Sequence, residues 1–145
     1  MPTAQPMQEA EGRRLTHYRI FNEVLNGRNV ELLPQLCTQD YVYHGPGGLE
    51  LEGIDQLRGM LEGYFTAFPD MHMEVEQRVV EGNLISTRWR VTGTHDGPLD
   101  GIEPTGRKID IGGQVIMRFE GTKIAEEWEF FDELAMLKQV GAITE

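Results

Sequence analysis

The apolar positions of the chain follow a helical period up to Pro69 and a strand period after it. Leu15, Tyr18, Phe21 and Leu25, with Val24 beside them, recur at helical spacing and predict a helix over Glu9–Asn26 that Gly27 ends. Asn29 can cap a short second helix, Val30–Leu36, in which Pro34 implies a kink or an irregular turn. Tyr41-Val42-Tyr43-His44 reads as a short strand closed by Gly45-Pro46-Gly47-Gly48. Ile54, Leu57, Leu61, Tyr64, Phe65 and Phe68 form the stripe of a third helix, Ile54–Phe68, before Pro69.

Beyond Pro69, Met73, Val75, Gln77 and Val79 alternate with His72, Glu74, Glu76 and Arg78, which predicts an antiparallel strand with one wetter face. Gly82-Asn83 is a hairpin signal, and Leu84–Thr94 is the next strand. The segment from His95 to Gly106 holds Gly97, Pro98, Gly101 and Pro104 and reads as a loop. Lys108–Glu120 is a long strand whose Gly112-Gly113 suits a bulge or a sharp bend. Gly121-Thr122 turns the chain into a last strand ending at Asp132, and Glu133–Val140 can form a final helix. Strict alternation along that last strand puts Trp128, Phe130 and Asp132 on one face and Glu127, Glu129 and Phe131 on the other.

Helices followed by a meander of long strands indicate an α+β fold. The expected architecture is a cone: a curved antiparallel sheet with the N-terminal helices packed on its concave face, enclosing a pocket whose mouth suits a ligand. Residues 1–8, with two prolines, read as a loose tail, and residues 9–145 as a single domain.

Composition narrows the function. The 145 residues are 39% hydrophobic and 26% charged, as in a folded globular domain. The formal net charge of −11 disfavours nucleic acid and anionic membrane surfaces as partners, though a pocket can still be locally positive. Cys37 is the only cysteine and lies among Leu32, Leu33 and Leu36, the setting of a buried, inert thiol. No run approaches the ~20 apolar residues of a membrane span, and the N-terminus lacks a leader pattern, so a cytoplasmic location is the default expectation.

The four histidines, His17, His44, His72 and His95, fall on four different elements without ligand spacing, so no metal site is expected. Phosphate-cradling and dinucleotide glycine motifs and the GxSxG elbow are absent, and no cofactor is expected. Glu126, Glu127, Glu129, Asp132 and Glu133 crowd the last strand, and most of them read as a solvated face. Arg88, Arg90 and Arg118 either pair with carboxylates across the sheet or send one guanidinium into the cone. Asp132, beside Trp128 and Phe130, is either a desolvated acid of raised pKa or the cap of the helix that follows. His44 and His95, at strand ends, either line a cavity mouth or are structural.

Gly93-Thr94-His95-Asp96-Gly97, then Pro104-Thr105-Gly106-Arg107, then Gly121-x-Lys123-Ile124-x-Glu126-x-Trp128-x-x-x-Asp132, together with Phe68-Pro69-Asp70-Met71 and Gln139-Val140-Gly141, resemble the SnoaL-like polyketide cyclases. The resemblance spans about Arg14 to Gly141 and implies the nuclear transport factor 2-like α+β cone. It implies intramolecular aldol ring closure of a polyketide ester without metal or cofactor, with Asp132 as general acid/base and His95 as a recurrent site residue. On that view Arg118, Arg88 or His44 would stabilise the developing oxyanion. Trp128, Phe130, Tyr18 and Phe65 would form an apolar wall for a small apolar or aromatic carbonyl-containing substrate, and two copies would pair through the exposed sheet. A non-catalytic ligand-binding module, or a hydratase, dehydratase or hydroxylase on the same fold, are the alternatives.

Overall fold

The computed structural model describes residues 4–144. Helix α1 (Ala4–Arg19) runs on into a π-helical segment (Ile20–Leu25), and a short 3₁₀ turn leads to α2 (Leu33–Leu36). There follow β1 (Cys37–His44), β2 (Glu50–Glu52), α3 (Ile54–Ala67), β3 (His72–Glu81), β4 (Leu84–Thr94), β5 (Lys108–Glu120), β6 (Lys123–Phe131) and α4 (Glu133–Gln139). The first residues of the expected tail, 1–3, lie outside the described residues; from Ala4 the chain is already helical.

The strands form a single curved sheet in the order β2-β1-β6-β5-β4-β3. It is mixed, not wholly antiparallel as the meander suggested. β3 to β6 pair antiparallel with their neighbours, but β1 lies parallel to β6. The chain leaves β1, turns back through β2, crosses over by α3 and builds the meander, so its last strand returns alongside β1 in the same direction. β2, too short to show a period, is a strand that alternation could not reveal. The π-helical segment, α2 and α3 cover the sheet, and Ile20, Phe21, Val24, Leu33, Leu57 and Leu61 are buried against Ile85, Val115, Met117 and Phe119. Arg118, Arg88, Trp128 and Phe130 stand on the opposite, convex face.

Three local departures from simple periodicity matter for the pocket. In the first helix the buried positions are Thr16, His17, Ile20, Phe21 and Val24, while Leu15 and Tyr18 face solvent. The polar pair is buried because it is satisfied: Thr16 Oγ1 donates to the Thr122 carbonyl at 2.7 Å, and His17 Nε2 lies 2.7 Å from Thr87 Oγ1. Burial, with a smaller contribution from Arg78, pushes the His17 imidazole down to about 4, so it sits in the core uncharged.

The second departure is at Gly112-Gly113, where β5 carries no bulge and pairs with β4 without a break, Trp89 opposite Gly113. The glycine makes room. A Cβ on Gly113 would lie 2.2 Å from Cζ2 of the Trp89 indole, so only glycine lets the ring lie across the strand. The third is in β6. Phe119 pairs with Ile124, but Arg118 pairs with Glu126, so Ala125 is an extra residue, a β-bulge. A one-residue slip sends every later side chain to the other face.

Gly113→Ala is expected to overpack the sheet and displace Trp89, with a loss of about 1–3 kcal/mol of stability. Urea denaturation followed by tryptophan fluorescence would register this as a lower midpoint with a little-changed slope.

Candidate functional site

Between the sheet and the helices lies a pocket with a cavity of about 120 Å³. Its floor is the concave face of β1, β4, β5 and β6, and its roof comes from the π-helical segment and α3, including Phe21, Leu57, Met60 and Tyr64. The lining is mostly aliphatic, aromatic and methionine side chains. Its two acids are Glu127 and Glu129, and among the described residues it contains no lysine, arginine or histidine.

The bulge at Ala125 brings those acids in. Past it, Glu127 lies opposite Met117, Glu129 opposite Val115 and Phe131 opposite Gly113, all on the concave face. Had the ladder kept the pairing of Phe119 with Ile124, Trp128 and Phe130 would have occupied that face. β1 supplies the matching donors, since Tyr41 and Tyr43, two residues apart on a strand, share a face. Tyr41 Oη donates to Glu127 Oε1 at 2.9 Å, and Tyr43 Oη donates to Glu129 Oε1 at 2.6 Å. Trp89 Nε1, placed by the gap at Gly113, donates to Glu129 Oε2 at 3.0 Å. Glu127 Oε2 takes no donor among the described residues.

The two carboxylates differ in electrostatics because their partners differ. Desolvation, then the charge of Glu129, raise the Glu127 carboxyl to about 8, against the opposing hydrogen bond from Tyr41. Desolvation also raises Glu129, but the bonds from Tyr43 and Trp89 favour its ionised form. Repulsion between the acids is mutual, and the extra donor on Glu129 decides the sharing: the proton resides on Glu127. Tyr43 and Tyr41 are held protonated by burial and by the neighbouring acids. Tyr64, pushed up to about 12 by burial, is likewise a neutral donor, and its hydroxyl is unpartnered among the described residues.

The residues singled out from the sequence lie elsewhere. Asp132 is exposed and caps α4, its Oδ1 accepting from the Ala135 amide at 3.0 Å, so of its two sequence-level roles the structure displays the cap. Trp128 and Phe130 are on the convex face, with Phe130 70% exposed. Trp128 stacks on His44, whose Nε2 is 2.7 Å from Glu126 Oε2. Arg118 bonds Glu126 and Glu120 on that same face, and Arg88, more than half exposed, lies 3.9 Å from Glu76. These are the cross-strand pairs weighed from sequence, not guanidiniums in the cone. Tyr18 is exposed on α1, and Phe65 lies under the Arg28 guanidinium outside the main pocket.

His95 is fully buried just behind the pocket wall, its ring 5.6 Å from that of Phe68. Its Nδ1 accepts from the Thr105 amide at 3.3 Å and lies 3.0 Å from Thr105 Oγ1, while its backbone ties to Arg107 and Gly106. It clamps the two ends of the β4–β5 loop together. The loop is fixed to α3 as well, because the Asp96 and Gly97 amides donate to the Ala67 carbonyl at 3.1 Å.

The charge run on the last strand reads from the sequence as mostly a solvated face, yet Glu127 and Glu129 line the pocket. The signal that finds them is in β5: its buried Val115 and Met117 fix the inner face, and pairing carries that face across to β6 only if the bulge is known. Among the described residues no cluster of His, Cys, Asp or Glu has the arrangement of a metal site, and no helix is long and apolar enough to cross a membrane.

The fold recurs in known proteins. A proposed SnoaL-like polyketide cyclase from Jannaschia sp. CCS1 is 25% identical, with a TM-score of 0.84 over 97% of this chain and 96% of that one. IdmH from Streptomyces antibioticus, a proposed polyketide cyclase, is 28% identical, with a TM-score of 0.78 over 89% of this chain and 98% of its own. AclR from Streptomyces galilaeus, a proposed hydroxylase, shares the fold at 24% identity, with a TM-score of 0.81 over 92% and 83% of the two chains. No curated protein matches the sequence. The family model described as SnoaL-like polyketide cyclase matches residues 15–140, nearly the whole domain, and the chain belongs to that family.

Proposed function

We propose that this protein is an acid/base enzyme that enolises an apolar, carbonyl-containing substrate and closes a ring by intramolecular aldol-type attack, with Glu127 as the base. The observation that carries this reading is a buried carboxylate with one free oxygen, raised to about 8, inside an apolar pocket. A carboxylate in water is too weak a base for a carbon acid, and desolvation strengthens it. Asp132, exposed and engaged as a helix cap, has neither property, so the role implied for it by resemblance passes to Glu127.

In the proposed cycle ionised Glu127 takes the proton next to the substrate carbonyl through Oε2. The negative oxygen that develops accepts a hydrogen bond from the Tyr64 hydroxyl, a donor already in the pocket wall. The enolate carbon attacks a second carbonyl of the same molecule, forming the ring carbon–carbon bond, and protonated Glu127 returns its proton to the new alkoxide. Atoms and charges balance with proton transfers alone. Tyr41 orients Glu127, and Glu129 raises its basicity while Tyr43 and Trp89 hold it in place.

We also propose that two copies pair through the convex face of the sheet. Val79, Ile116 and Phe130 are exposed there, and register puts Val79, Ser86, Ile116 and Trp128 in one row. Such a flat apolar patch suits an isologous dimer.

With a cyclisable diketo ester as substrate, Glu127→Gln is expected to lower kcat/KM by about 10²–10⁴-fold. Because the base must be ionised, wild-type kcat/KM should climb with pH and level off only above about 8; a profile flat across that range would remove Glu127 from the role. Stability reports the same group without substrate. Glu127 goes from 4.5 unfolded to about 8 folded, so the folded state binds the extra proton and wild-type stability falls as pH rises through that window. Urea midpoints should therefore show Glu127→Gln gaining on the wild type between those limits and running parallel to it above them. Phe130→Glu is expected to turn a dimer into a monomer in analytical ultracentrifugation with the fold intact by circular dichroism.

A further inference from the structure

Two carboxylates share the pocket, and no lysine, arginine or histidine among the described residues lines it. Buried charges in proteins are paired, because an isolated ion loses several kcal/mol of hydration with nothing in return. Glu129 accepts from two donors, yet both are neutral: a phenol and an indole. Glu127, nine-tenths buried, holds one phenol on Oε1 and presents an unpartnered Oε2. The cationic side chains of the sheet do not help. Arg118, Arg88 and Arg90 are committed to Glu126, Glu76 and Asp110 outside the pocket. The cavity is therefore short of one positive charge, which none of the described residues lining it supplies.

The walls around that acid pair are aromatic as well as apolar. Phe21, Tyr64, Phe68, Trp89 and Phe131 all line the cavity, and an aromatic face attracts a cation as it does a hydrocarbon. A carboxylate pair within a box of rings recognises one chemistry best, an organic ammonium, with the N–H donors on the acid and the alkyl or aryl part against the rings.

We infer that the pocket's substrate carries a basic nitrogen, and that its ammonium binds against the Glu129 carboxylate as the counter-ion of the Glu127–Glu129 pair, leaving Glu127 Oε2 to the proton transfer. The inference rests on this pocket being the substrate site and names the class of molecule it takes: an apolar carbonyl compound with an amine. The same electrostatics turn away anions, so a free carboxylate or phosphate on the buried part of a substrate is excluded by charge.

Three probes of similar size separate the possibilities: phenethylamine, phenethyl alcohol and hydrocinnamate, titrated into the wild-type protein by calorimetry near neutral pH. The amine is expected to bind at least about tenfold more tightly than the alcohol, equal to about 1.4 kcal/mol, and hydrocinnamate should bind most weakly. In Glu127→Gln and Glu129→Gln, each checked for folding by circular dichroism, the amine-over-alcohol preference should shrink toward unity while the alcohol binds as well or better. An alcohol that binds the wild type as tightly as the amine, or a preference that survives in both variants, overturns the inference. Its failure is distinguishable from that of the catalytic reading. Loss of turnover in Glu127→Gln without amine preference leaves the base and removes the ammonium site. Amine preference with turnover intact in Glu127→Gln does the reverse.

Discussion

Between the pairing of Phe119 with Ile124 and that of Arg118 with Glu126 the β5–β6 ladder slips by one residue, and everything the pocket contains depends on that slip. Ala125 is the residue it absorbs, and both Ile124 and Ala125 are buried where the strand rotates. Without the bulge, Trp128 and Phe130 would fill the concave face and the glutamates would sit in water. With it, two large aromatics are turned outward, and two acids are buried. Neither change favours stability by itself. Such a feature is expected where a strand is shaped for a site and not for its own packing.

The acids remain buried because other elements have been fitted to them. Tyr41 and Tyr43 come from β1, which lies parallel to β6 only after the chain has built the rest of the sheet. Trp89 comes from β4 and reaches Glu129 across a strand that carries glycine at the crossing point. The donors are neutral, so they orient the carboxylates and satisfy their lone pairs without neutralising them. A lysine or arginine in the same place would make a stable ion pair and an inert site. Neutral donors leave burial free to raise the proton affinity of both acids, Glu127 to about 8.

The charged residues outside show the contrast. Glu126 directly precedes Glu127 in sequence, yet it faces the convex side, where His44 and Arg118 reach it and hold its pKa low. Adjacent glutamates on one strand thus have opposite electrostatics, because burial and counter-charge act through the face a side chain occupies and not through its neighbours in sequence. The loop after β4 contributes differently. His95 and Gly97 fix it against its own end and against α3, closing the pocket's wall behind Phe68 without entering it.

Local patterning carries the α+β class, the long strands and their turns, the helix ended by Pro69, the family resemblance and the alternation within β6. These are local: they follow from the period of apolar residues, from glycine and proline, and from motifs read in order. Even the ambiguity at Asp132 was legible, since an aspartate before a short helix is a cap wherever that helix forms. Which face of β6 points inward was not legible. That depended on a bulge whose only trace is an alanine, and on partners from β1 and β4 far away in the chain. The parallel pairing of β1, the room for Trp89 at Gly113 and the phase of the first helix, with its buried Thr16 and His17, were likewise tertiary. Periodicity says that two faces exist; only the packing of distant elements decides which one loses its water, and here that choice put Glu127 and Glu129, not Asp132, in the pocket.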